Sequence, residues 1–157
     1  MLPAVGYRQW VLSFQGPLAV RLGYDQALLA KVAEGLAQAV MRDMRRSVKE
    51  RHGLASVAPL HAGVFIAVQR FRSDLGLYVH LHCLVTDGAY DEGIADVRFL
   101  PAATPTAERM VAVLAQVHEA IAAAAAEVDG LDLDPALAAC VPARAWRRRP
   151  SRRPGRH

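Results

Sequence analysis

The sequence predicts an α+β domain, an antiparallel sheet with helices on one face, and three observations carry that reading. Segments at Tyr7 to Phe14, Ala62 to Phe71 and Leu77 to Val85 are rich in β-branched and aromatic residues, as strands are. Two longer segments, Leu28 to Val48 and Met110 to Ile121, repeat apolar residues every three or four positions, the period of an amphipathic helix. The resulting order β-α-β-β-α is that of a ferredoxin-like, or split βαβ, sheet in which the last main strand is not evident.

Each element has a local reason. "YRQWVLSF" reads as the first strand, and the breaker Gly16-Pro17 follows it. Asp25 can cap a long helix that ends at Gly53, a good residue for the left-handed turn after a helix. Its apolar stripe is Leu28, Val32, Leu36, Val40, Met44 and Val48, widened by Leu29 and Ala33. Arg42, Arg45, Arg46 and Lys49 cluster on a different side near its C-terminal end, where they suit the helix dipole. That cluster is either a solvated face or a nucleic-acid contact. Only Arg72 to Gly76 separate the second and third strands, short enough for a hairpin. Asp96 to Leu100 offers a short extra strand, and Thr104-Pro105 opens a second helix as N-cap and first helical residue. Periodicity stops beyond Asp129. The division is therefore a folded part, 1–128, and an irregular, arginine-rich tail, 129–157, read as disordered.

Composition narrows the function. A chain of 157 residues with 53% hydrophobic content suits one domain with a real core. No apolar run reaches about 18 residues, and the start lacks a signal-peptide pattern, so the expectation is a cytoplasmic protein with no membrane partner. Cys83 and Cys140 show no zinc-type spacing and read as one buried thiol and one loop thiol. The net charge of +4 is uneven: the end from Arg144 holds seven arginines and no acid. Residues 1–72 carry +6 and residues 73–143 carry −9, so the first half is the part that could meet phosphates.

The third strand holds the chemistry. In "LYVHLHCLV", His80 and His82 alternate with Leu81 and Cys83, so the two imidazoles share one face and the apolar residues the other. They are either two solvated histidines or two ligands of a metal. With Phe71 set opposite Tyr78, hairpin arithmetic puts Gln69 opposite His80, and opposed residues face the same way. Gln69, His80 and His82 would then converge, flanked by Phe71 and Tyr78, with coordination positions left open as a catalytic metal needs. His52, His61 and His118 read as plain surface residues.

"RQWVLSF" followed by "AVQRFRSDLGLYVHLHCLVTDGAY" closely resembles the rolling-circle insertion-sequence transposases of the HUH endonuclease superfamily. The resemblance runs from about Leu2 to about Val141, with "LGYDQALL" and "DPALAACV" in the family's order. It implies the HUH nuclease type of ferredoxin-like sheet and a single-stranded DNA partner. It also implies an Mg²⁺ or Mn²⁺ ion held by His80 and His82, with Gln69 as third ligand by the register argument. The implied reaction is transfer through a 5′-phosphotyrosine.

The superfamily's nucleophile lies well downstream of its histidines, whereas the four tyrosines here are Tyr7, Tyr24, Tyr78 and Tyr90. None matches that position, and the family's N-terminal zinc module is also missing. The expectation is a transposase truncated at both ends that keeps the metal-binding half of the nuclease. Two other readings compete. One is a single-strand nucleic-acid binder stacking bases on Phe71 and Tyr78. The other is a non-functional pseudogene product whose missing strand leaves a sheet edge unpaired.

Overall fold

The computed structural model describes residues 5–71, 73–93, 96–129 and 138–141. Its elements run β1 (Tyr7–Phe14), α1 (Gly16–Tyr24), α2 (Gln26–His52), β2 (Leu60–His61), β3 (Val64–Phe71), β4 (Leu77–Thr86), β5 (Gly88–Asp91), β6 (Arg98–Pro101), α3 (Ala107–Asp129) and β7 (Ala138–Val141). The main sheet is antiparallel in the order β3-β4-β1-β7, and β2-β5-β6 form a smaller one. The first main strand thus lies between the third and the fourth, with the second outermost, which is the ferredoxin-like order.

The fourth main strand is a correction to the sequence reading. Ala138–Val141 pairs with β1 in the register Leu12↔Cys140 and Phe14↔Ala138, so the β1 edge is covered there. Four residues, Ala-Ala-Cys-Val, are too few to set a period. The strand lies within the stretch read as an irregular tail, and Cys140 is on a strand, not a loop. The arginine-rich end from residue 142 lies outside the described residues.

Two helix starts also differ. Gly16-Pro17 does not simply break the chain; it opens α1, whose first turn needs no proline N–H and which buries Leu18, Ala19 and Leu22. α3 starts two residues after Pro105. Its first turn is held by Thr106, whose Oγ1 accepts from the Arg109 N–H at 3.3 Å, so Thr104 is not the cap. For α2 the reading holds at both ends: Asp25 accepts from the Leu28 N–H at 2.9 Å, and Gly53 takes the left-handed turn at φ 62°.

The core lies between the sheet and the helices. Trp10, Leu12 and Phe14 of β1 and Val79, Leu81, Cys83 and Val85 of β4 face α2, whose Val32, Leu36, Val40, Met44 and Val48 are all buried. Arg8 points to the same side, 5% exposed; it donates to the Ala103 carbonyl and pairs with Asp87, tying β1 to the β4–β5 turn. α3 packs along α2 through Val113, Val117 and Ile121, so closely at Gly35 that a Cβ there would sit 2.6 Å from that of Ala120. Arg109 clamps the pair, with Nε 2.9 Å from Asp43 Oδ1 and Nη1 2.6 Å from Glu50 Oε2. The α3 segment Ala107–Glu127 is long and apolar enough by length and composition to cross a bilayer, although Glu108, Arg109, Gln116 and Glu119 interrupt it so that it is no continuous apolar run. Its alanines set that composition, while its branched residues serve the contact with α2.

Candidate metal centre

The registers of β4 with its two neighbours build the open face of the sheet row by row. His80 lies opposite Gln69 of β3 and Ser13 of β1; His82 lies opposite Ala67 and Val11; Leu84 lies opposite Phe65 and Gln9. Opposed residues point the same way, so these nine form three rows on the face away from the helices. Val79, Leu81, Cys83 and Val85 occupy the other parity of the same strand and are wholly buried, while on the histidine side His80 and Ser13 are each 9% exposed and His82 is half-buried.

The His80 and His82 rings are 4.8 Å apart between centroids and meet edge-on at 67°, and the Tyr78 ring is 5.1 Å from His80. Each Nδ1 has a partner. His80 Nδ1 is 3.0 Å from the Tyr78 carbonyl, to which a neutral ring donates its N–H, and its Nε2 then keeps a lone pair. His82 Nδ1 is 2.8 Å from the side-chain amide of Gln9. The amide nitrogen is the atom that faces the ring and donates to Nδ1; turning the amide over would let Nδ1–H donate to its oxygen and free His82 Nε2 as a ligand atom, the way an outer group fixes a metal-binding tautomer. Burial, and then the neighbouring His80, hold the His82 imidazole below its ordinary value and so favour the neutral ligand form.

Gln69 falls opposite His80, as the hairpin arithmetic requires, and its Nε2 donates to the Phe71 carbonyl at 3.2 Å, which leaves its oxygen as a donor atom. Among the described residues no group of three His, Cys, Asp or Glu side chains converges as a metal site. The donor set is therefore two imidazoles and amide oxygen, which fits a divalent ion with positions left for water or substrate.

Phe71 departs from the expected register. A bulge between Gln69 and Phe71 sets it opposite Leu77, not Tyr78. A Cβ on Gly23 of α1 would touch the Leu77 side chain, so Phe71 pairs with the helix side and leaves the histidine rows. Tyr78 stays beside them. The Arg42, Arg45, Arg46 and Lys49 cluster sits on α2, across the sheet from the histidines. Arg45 donates through Nε and Nη2 to the Val57 carbonyl and holds the loop after α2, while Arg46 pairs with Glu50 at 3.0 Å. Arg42 and Arg46 line a cavity of about 530 Å³ between α2 and α3, together with Asp43, Glu50 and Glu108. Its charge is mixed. The structure thus brings together Gln69, Tyr78, His80 and His82 and does not bring the arginines to them.

The sequence reading missed Gln9, which bonds His82, and Ser13, which lies opposite His80, because both placements depend on the β1–β4 register, which no loop length fixes. Their one signal was the alternation inside "RQWVLSF", which puts both on the parity opposite Trp10, Leu12 and Phe14.

The fold and this face define a class: a ferredoxin-like α+β domain with a histidine pair on its open sheet surface. A model of the family described as "Putative transposase" matches residues 63–149, more than half of the chain, and the chain belongs to that family. The match takes in Gln69, His80, His82 and β7 and continues past Val141, where the resemblance read from the sequence stops. Neither a curated protein nor a solved structure matches the chain.

Proposed function

We propose that this transposase-family chain is of the HUH rolling-circle type and holds Mn²⁺ or Mg²⁺ on the open sheet face to engage a phosphate of single-stranded DNA. One observation carries the reading: His80 and His82 share that face with ring centroids 4.8 Å apart, and Gln69 lies directly opposite His80. His80, His82 and Gln69 would hold the ion. Nitrogen donors without a carboxylate favour Mn²⁺ of the two. When bound, the ion would supply a Lewis acid and template for the phosphate. The chain's own residues contribute orientation: Gln9 aims His82, and the Tyr78 carbonyl aims His80.

The covalent step needs an in-line hydroxyl, and the tyrosines of this chain are not placed for one. Tyr24 is 84% exposed at the end of α1, and Tyr90 meets Phe99 edge-on at 5.2 Å in the small sheet. Tyr7 is two rows beyond His82, and Tyr78 is fixed on the histidine strand itself. The nucleophile is therefore assigned to a residue outside this sequence. The test is binding of a labelled single-stranded oligonucleotide with and without Mn²⁺, followed by a denaturing gel. The reading expects Mn²⁺ to tighten binding for the wild type but not for His80→Ala/His82→Ala, with no covalent adduct in either. Equal binding with and without the ion would contradict the site, and an adduct abolished by Tyr78→Phe would contradict the assignment of the nucleophile.

A further inference from the structure

From the row next to the histidines we infer a base-binding platform, Phe65 with Leu84, that takes the nucleobase flanking the phosphate at the metal centre; it rests on the reading above. Phe65 is 65% exposed and Leu84 40% exposed, and they lie directly opposite each other on the open face. Phe65 is the diagonal neighbour of His82, one row along, which is two residues or about 6.7 Å of strand. That is close to the reach of one unstacked nucleotide. A phosphate at the histidines would therefore leave the next base over the Phe65 ring.

Charge selects the part of the nucleic acid. The rows contain Gln9, Val11, Ser13, Phe65, Ala67, Gln69, His80, His82 and Leu84, without a lysine or an arginine. Arg8 sits on the opposite parity of β1, buried. A neutral face with an exposed aromatic ring suits the flat side of a base and gives no grip on a run of phosphates. A second copy of the chain is the less suitable occupant. A stable protein interface buries on the order of 1,200–2,000 Å² in total, and two apolar side chains bordered by His82 and Gln9 fall far short of an apolar centre for one. The ring costs little to remove from the fold, since it is mostly in solvent.

The test compares wild type, Phe65→Ala and Phe65→Trp in binding a labelled single-stranded oligonucleotide with Mn²⁺, across a salt series. A set of oligonucleotides carrying one abasic position each completes it. Phe65→Ala should weaken binding roughly tenfold or more with the salt slope unchanged, and Phe65→Trp should restore it. For the wild type one abasic position should cost as much, and for Phe65→Ala that same position should cost nothing further. Equal binding by wild type and Phe65→Ala, or additive losses, would overturn the platform while leaving the metal reading standing. No binding by the wild type would overturn both. A wild-type dimer that Phe65→Ala turns into a monomer in sedimentation would instead make this face an interface between copies.

Discussion

Replacing Gly35 by alanine puts two physical effects in opposition at the contact between α2 and α3. In an open helix interior the change should stabilise by about 1 kcal/mol, because glycine has the larger backbone entropy to lose. Here the new Cβ would lie 2.6 Å from the Ala120 Cβ, against an optimum of about 3.5–4.0 Å between carbons. The helices must separate by roughly an ångström, next to the Arg109 clamp and the Val113–Val117–Ile121 stripe. Overpacking of this kind costs about 1–3 kcal/mol, so the clash wins and the expected net loss is about 1 kcal/mol. Urea unfolding of the purified chain measures it, with the swap Gly35→Ala/Ala120→Gly as the control. The swap moves the methyl across the same gap and cancels the helix propensities, so it should return to within about 0.5 kcal/mol of wild type. A Gly35→Ala protein more stable than wild type by the full propensity gain would refute the close approach.

Three further outcomes follow from single residues. Asp87→Ala should destabilise by about 3 kcal/mol in the same assay, because it strands the buried Arg8 guanidinium; a change under 0.5 kcal/mol would remove Arg8 from the list of structural ties. Gln9→Ala should lower Mn²⁺ affinity about 10- to 100-fold in a calorimetric titration, since it frees the His82 ring to turn, while Gln9→Glu should keep it. The Leu28 N–H, and the Arg21 guanidinium beside it, hold the Asp25 carboxyl below its ordinary 3.8. The charged cap is thus present at neutral pH and is lost as pH falls from 3.8 through the lowered folded value. The stability difference between wild type and Asp25→Asn should therefore change only in that acid window, and a difference independent of pH there would contradict it.

What could be read from the sequence was what local chemistry decides. α2 was legible from cap to cap, because Asp25, the four-residue stripe and Gly53 all act within a few residues. The Gln69–His80 pairing was legible because a five-residue connection fixes a hairpin register. Two residues further on the same arithmetic failed at Phe71, since a bulge between the two shifts the register and loop length alone does not reveal one. β7 was hidden for another reason. Ala138–Val141 has no period of its own and becomes a strand through pairing with β1, more than 120 residues earlier. A separation of 73 residues likewise hid Gln9, which reaches His82 only once β1 and β4 are in register. The arginines near the end of α2 were legible as neighbours in sequence, but α2 buries its opposite stripe on the sheet, which sends them to the side away from the histidines, Arg45 to the Val57 carbonyl and Arg46 to Glu50.

The central claim is that His80 and His82 form one metal site on the open sheet face, and calorimetric titration with Mn²⁺ tests it without reference to activity. The wild-type chain should bind one Mn²⁺, His80→Ala/His82→Ala should lose that binding, and Gln69→Ala should weaken it. Equal Mn²⁺ affinity in wild type and the double variant, both shown folded by a cooperative unfolding transition, would contradict the account.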